Sequence, residues 1–219
     1  MKLFKDKLDL RVKEVDSLLC VGLDSDSFKF NKEIIYKTHD LVCAYKPNTA
    51  FYEAQGEKGV AHLKMTCDYL SEEHPEIVII IDAKRGDVEN TNESYARFLF
   101  DYLRADAVTL HPYLGRDSLR PFLERKDKMN FILCRTSNKG AGEIQDLLVE
   151  GVPLYQIIAQ KVAKDWNQNK NCGLVVGATY PEELASLRNM APDLPFLIPG
   201  VGTQGGDLEK SVRAGVDKN

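Results

Sequence analysis

Seven short apolar runs, separated by segments of helical period, constrain this 219-residue chain more than any other feature. The runs are LLCVGL (18–23), LVCAY (41–45), IVIIID (77–82), ADAVTLH (105–111), NFILCRT (130–136), GLVVGAT (173–179) and PFLIPGVG (195–202). Strands this short and apolar are buried on both faces, and helical connections between them make the sheet parallel. The connecting segments carry the apolar stripe this requires: Val60, Leu63, Cys67 and Leu70 in one, Leu154, Ile157, Ile158 and Val162 in another. A third, NTNESYARFLFDYL, opens with the capping-box-like pair Asn90 and Glu93, and its spacing predicts Phe98, Leu99, Tyr102 and Leu103 inward. No low-complexity linker interrupts the pattern, so residues 1–219 read as a single α/β domain.

Alternation alone fits either a (β/α)8 TIM barrel or a doubly wound open sheet. The placement of polar residues favours the barrel. Asp24, Lys46, the cluster from Asp82 to Asp87, His111, Thr136 with Ser137, Thr179 and the Gly200–Gly206 loop all follow a strand. The C-terminal ends of barrel strands converge on one face, which would collect all of these residues. After the seventh run the sequence reaches only SVRAGVDKN, so the expectation is a barrel whose last strand is missing from the given chain.

Composition excludes several classes. With 43% hydrophobic residues the chain can fill a sizeable core. Lys plus Arg number 29 and Asp plus Glu 33, with no long block of one sign, which argues against a nucleic-acid face or a polybasic membrane anchor. The N-terminal MKLFKDKLDLRVKEVDSLLC alternates charge with apolar residues, unlike a signal peptide or a membrane span, and a cytoplasmic location is expected. The five cysteines are scattered, without a Cys-x-x-Cys pair, and read as small hydrophobes. His39, His62 and His74 form no metal set, and no metal is expected.

The run IVIIID leads straight into AKRGD, so a buried strand ends in Asp82, Lys84, Arg85 and Asp87. If strand alternation persists, Asp82 and Lys84 project to the same side. Lys46 ends an earlier strand in the corresponding place. Desolvating an alternating network of lysines and aspartates is a poor way to stabilise a fold, which makes chemistry the better explanation.

Five stretches in this order, VGLD (21–24), AYKPN (44–48), DAKRGDVENT (82–91), CRTSNKGA (134–141) and PGVGTQGGD (199–207), resemble the orotidine 5′-monophosphate decarboxylase family, in its bacterial and parasite branch. The resemblance runs from about residue 3 to the end of the chain. It implies a barrel, a homodimer and no cofactor. By position it makes Lys84 the acid that protonates C6 of the pyrimidine, with Asp82 beside the substrate carboxylate and Lys46 orienting the network and touching the ribose. Asp87 and Thr91 would reach into the neighbouring subunit's site. Asp24 matches a ribose contact, Thr136 and Ser137 the pyrimidine contacts, and Pro199, Gln204 and Gly205 the region that holds base and phosphate. A phosphate-clamping arginine falls past Asn219.

The chemistry suits these residues. Loss of carbon dioxide from C6 leaves an in-plane carbanion without a conjugated sink, so a fixed positive charge that is also a proton donor is needed, and carboxylates at 82 and 87 favour that protonated form. The loop GVGTQG (200–205) matches a dinucleotide fingerprint literally but lacks the following βαβ unit; a phosphate on its amides and the next helix start is the better fit. The stretch 136–155 reads equally as surface loop or lid. His111 reads as structural, and the RGD at 85–87 carries no adhesive meaning inside a cell. Two other functions stay open: a Schiff-base aldolase or lyase acting on a phosphorylated substrate through a strand-end lysine, and a nucleotide-binding domain without activity.

Overall fold

The computed structural model describes residues 3–201 and 205–216. Seven parallel strands form one curled sheet in the order β1-β2-β3-β4-β5-β8-β9. They are β1 (Cys20–Leu23), β2 (Ala44–Pro47), β3 (Val78–Arg85), β4 (Ala107–Leu110), β5 (Met129–Arg135), β8 (Cys172–Val176) and β9 (Phe196–Leu197). Strands β6 (Leu148–Val149) and β7 (Val152–Pro153) make a small antiparallel hairpin outside it. Each apolar run supplies one strand of the sheet. Consecutive parallel strands in sequential order, with helices between, are the (β/α) barrel arrangement and not the doubly wound one, whose strand order reverses. Among the described residues the sheet has seven strands, β1 and β9 standing at its edges.

Both faces are buried, as the apolar runs require. Ala44, Val78, Ile80, Ala107, Met129, Phe131, Val175 and Leu197 fill the interior. Tyr45, Ile79, Ile81, Val108, Leu110, Ile132, Leu174 and Val176 alternate with them and pack under the helices, against residues such as Leu63, Cys67 and Leu70 of the helix Gly56–Glu73. Strand alternation therefore carries Val78 and Ile80 inward and leaves Asp82 as the next inward residue, which answers why a carboxylate ends an apolar strand.

The N-terminal helix Phe4–Val15 seals the opposite end of the barrel. Phe4 joins the interior and meets the Phe131 ring edge-on at 6.0 Å, with Leu8 and Val12 alongside. Lys7 pairs with Asp106 at 2.6 Å, and buried Arg11 donates to the carbonyls of Val42 and His39. The alternating charges of this segment thus bind the strand bottoms.

Two helical expectations are corrected. Asn90 does not cap: the helix Glu89–Ala96 starts two residues earlier than that cap would set it, Val88 stands at its N-cap without a side-chain bond, and Asn90 Oδ1 accepts from the N–H of Thr91. Beyond Ala96 the helix widens into a π-turn, Arg97–Tyr102, in which the Leu103 N–H reaches back five residues to Phe98 O. The extra residue turns the face, so Leu99, Phe100 and Leu103 are buried and Phe98 packs half-buried against the core, while Tyr102 is 47% exposed and stacks on Phe98. Of the stripe Leu154, Ile157, Ile158 and Val162, Val162 is buried and Ile158 packs half-buried against the core, while Leu154 and Ile157 are half-buried and the helix Leu154–Lys161 buries Tyr155 and Ala159 instead. Of the five cysteines, Cys43, Cys67, Cys134 and Cys172 are buried, Cys20 is half-buried, and all are free thiols.

Candidate active site

Asp82 is the centre of the charged cluster. Lys84 Nζ lies 2.7 Å from both its carboxylate oxygens, and Lys46 Nζ, from the end of β2, lies 3.5 Å from Oδ2. The side chain of Asp82 is 11% exposed and that of Lys84 49%, so the pair spans from the barrel interior to the mouth. Burial pushes the Asp82 carboxyl upward, but the charge of Lys46, the hydrogen bond and charge of Lys84 and a hydrogen bond from Thr109 together hold it below the usual carboxylate range. The site keeps a buried anion flanked by two cations.

Thr109 was not legible as a site residue, although a lone polar residue within the strand AVTL (107–110) was the available signal. Its hydroxyl donates to Asp82 Oδ1 at 2.7 Å and accepts the Lys84 backbone N–H at 3.0 Å. Lys84 itself sits at φ 46°, a left-handed conformation that a lysine adopts at a cost. Arg85 turns away from the cluster: it donates to Ala83 O, pairs with Glu53 and lies over the Tyr95 ring at 4.9 Å.

Asp87 points elsewhere within its own chain. Its Oδ1 accepts the Val88 N–H at 2.7 Å, and among the described residues it has no ion pair with Lys84. Asn92 holds this loop by accepting the Asp87 N–H and donating to Asp87 O and Ser118 O. Thr91, half-buried, stands in the first turn of the helix Glu89–Ala96.

Of the remaining predicted positions, the described ones follow strands of the same sheet. Asp24 follows β1 and is exposed. Thr136 follows β5; its N–H and hydroxyl are both held by the Gln145 amide, at 2.9 and 2.7 Å. Ser137 follows directly, its backbone pressed against Gly177, where an added Cβ would lie 2.8 Å from Ser137 Cα and N. Sequence reasoning missed Gly177, which allows the end of β8 to approach the Ser137 segment. Pro199 O accepts the Ala178 N–H at 2.8 Å, and Gly206 N–H returns to Gly200 O at 2.9 Å, with Gly205 at φ 78° in the turn. Gln204 lies outside the described residues. At the start of the helix Leu208–Gly215 Asp207 is the N-cap, accepting the Lys210 N–H at 3.0 Å.

His111 donates its backbone N–H to Arg85 O at 2.9 Å, and its ring lies against Gly86, where a Cβ would come within 2.8 Å. The 136–155 stretch folds into two short helices and the β6–β7 hairpin, tied down by Arg135 to Asp146 at 3.1 Å. Among the described residues no group of three or more His, Cys, Asp or Glu side chains could hold a metal ion, and no helix is long and apolar enough to cross a membrane.

A parallel barrel with a lysine–aspartate–lysine network at its C-terminal mouth defines an enzyme that handles charge on a small anionic substrate. Comparison with known proteins specifies which. Residues 17–219 match the family model described as "Orotidine 5'-phosphate decarboxylase / HUMPS family", and the chain belongs to that family. It is 52% identical to the orotidine 5'-phosphate decarboxylase of Herpetosiphon aurantiacus over 213 residues, covering 90% of this chain and 79% of that protein. The structure of Leishmania donovani OMP decarboxylase superposes with a TM-score of 0.91 at 42% identity, covering 99% of this chain and 85% of that one. Leishmania donovani UMP synthase superposes at 0.95 with 44% identity over the whole chain, which spans 49% of the length of that structure.

Proposed function

We propose that this chain decarboxylates orotidine 5′-monophosphate to uridine 5′-monophosphate and carbon dioxide in pyrimidine biosynthesis, in the cytoplasm and without a cofactor. The observation that carries it is the Lys46–Asp82–Lys84 network: a fixed cation at the mouth, held against a buried carboxylate, in a chain whose relatives at 44–52% identity are named for this reaction.

With the pyrimidine in the mouth, the C6 carboxylate faces Asp82 and Lys84 Nζ faces C6. As the C6–carboxylate bond breaks, its electron pair stays on C6, carbon dioxide leaves, and the ammonium of Lys84 stabilises the carbanion and then transfers a proton to it. Solvent returns the proton to the lysine. Repulsion between the substrate carboxylate and Asp82, two charges about 4 Å apart, is worth roughly 4 kcal/mol at an effective dielectric near 20. Enzymatic accelerations need roughly 8–23 kcal/mol, so repulsion supplies a minority share. Preorganised charge supplies more, because the Lys46 and Lys84 positions are set before substrate arrives.

Asp24 and Lys46 hold the ribose in this scheme, Thr136 and Ser137 the base, and Pro199, Gln204 and Gly205 the base and phosphate side. The Asp87 carboxylate, unused by Lys84 of its own chain, and Thr91 are assigned to a second subunit's site, which makes the active unit a homodimer. The test is the loss of ultraviolet absorbance of orotidine 5′-monophosphate with release of carbon dioxide, without added metal. Absence of turnover both by this chain and by a chain continued past Asn219 through a further strand overturns the proposal.

A further inference from the structure

We infer that Thr109 is a positioning residue for this reaction, its hydroxyl coupling the backbone of Lys84 to the carboxylate of Asp82. The inference rests on the decarboxylation proposed above. Between β3 and β4 the register slips: Ile81 pairs with Val108 and Arg85 with Leu110, so residues 82–84 stand opposite Thr109 alone. A bulge of this kind leaves ladder groups unpaired and re-aims the side chains it carries. Here the unpaired group is the Lys84 N–H, and Thr109 Oγ1 takes the place of a ladder carbonyl at 3.0 Å.

A hydroxyl has one proton to give and lone pairs to receive. The proton goes to Asp82 Oδ1 at 2.7 Å, so the lone pair accepts from Lys84, and one buried group fixes both partners of the ion pair. Lys84 stands at φ 46°, which its backbone keeps only while surrounding bonds hold it there. Without the hydroxyl the bulge has a free N–H, the strained backbone loses its restraint, and Asp82 loses a donor that favours its ionised form. Nζ then samples positions away from C6.

Thr109→Val keeps the branched shape and removes the hydroxyl, whereas Thr109→Ser keeps the hydroxyl and removes a methyl. Expected results are a kcat for Thr109→Val reduced about 10- to 100-fold, and for Thr109→Ser one within about 3-fold of the parent. The acid limb of the kcat profile moves to higher pH in the valine variant only, since its carboxylate is less favoured. Melting curves establish that both variants are folded, and crystal structures report the Lys84 φ. If Thr109 merely packs, the order reverses: serine, which leaves a methyl-sized gap, is the worse variant and neither acid limb moves. That outcome, or a valine variant with unchanged Lys84 geometry and kcat, overturns the inference. An inactive parent protein counts against the decarboxylase function instead, and the Lys84 conformation in the valine variant still decides the positioning role.

Discussion

Lys84 Nζ is equidistant from the two carboxylate oxygens of Asp82, 2.7 Å from each, although the two residues are separated by a single alanine on a strand end. The contact is made by folding a long flexible side chain back over the bulge, so it presents the ammonium at the rim while the carboxylate stays buried.

Replacing Lys84 tests this arrangement directly. Lys84→Ala is expected to lower turnover of orotidine 5′-monophosphate by about 10⁴-fold or more, since it removes both the proton donor and the charge at the carbanion. Because φ is 46° there, Lys84→Gly should be equally inactive but more stable than Lys84→Ala by about 1 kcal/mol, read from urea midpoints.

Subunit sharing predicts complementation. Mixed Lys84→Ala and Asp87→Ala chains should regain part of the parent activity, because a hybrid dimer holds one site with both residues intact. Light scattering and subunit exchange of tagged chains accompany the assay. No recovery despite demonstrated exchange would falsify the assignment of Asp87 to the partner's site.

The depressed Asp82 carboxyl gives a pH dependence of stability. Its pKa is lower folded than the ordinary 3.8, so the unfolded chain binds the proton more readily, and the stabilisation is present above that value and lost as pH falls through the folded one. Urea midpoints followed from about pH 7 to about pH 3 should fall on the acid side, less steeply for Asp82→Asn. Equal slopes for the two proteins remove Asp82 from the acid response.

Gly177→Ala should act on substrate binding. The new methyl meets Ser137 backbone at 2.8 Å, and backbone cannot swing aside as a side-chain tip can. A rise in KM of about 10-fold, with kcat changed less, is the expected outcome in steady-state kinetics. An unchanged KM separates Ser137 from base recognition.

Much of this protein is written locally. Seven apolar runs became the seven strands of the sheet, because burial on both faces demands continuous hydrophobicity at the length of a strand. Asp82 was legible for the same reason: as the next inward position after Ile80, it had to face the barrel interior. Lys46 and the strand-end loops followed from the convergence of barrel strands on one face. What escaped the sequence depends on register between segments distant in the chain. The π-turn at Arg97–Tyr102 rotates a helical face by one residue, and no periodicity announces it. Arg11 is buried only because the barrel bottom supplies the carbonyls of Val42 and His39. The slip that sets Thr109 against residues 82–84, and the close approach of Gly177 to Ser137, exist only once neighbouring strands are aligned. The hydrophobic period and the place of each strand along the chain thus belong to the sequence alone, whereas the strand order and the positions of the cations to within a hydrogen bond are decided by the cross-strand contacts that tertiary structure creates.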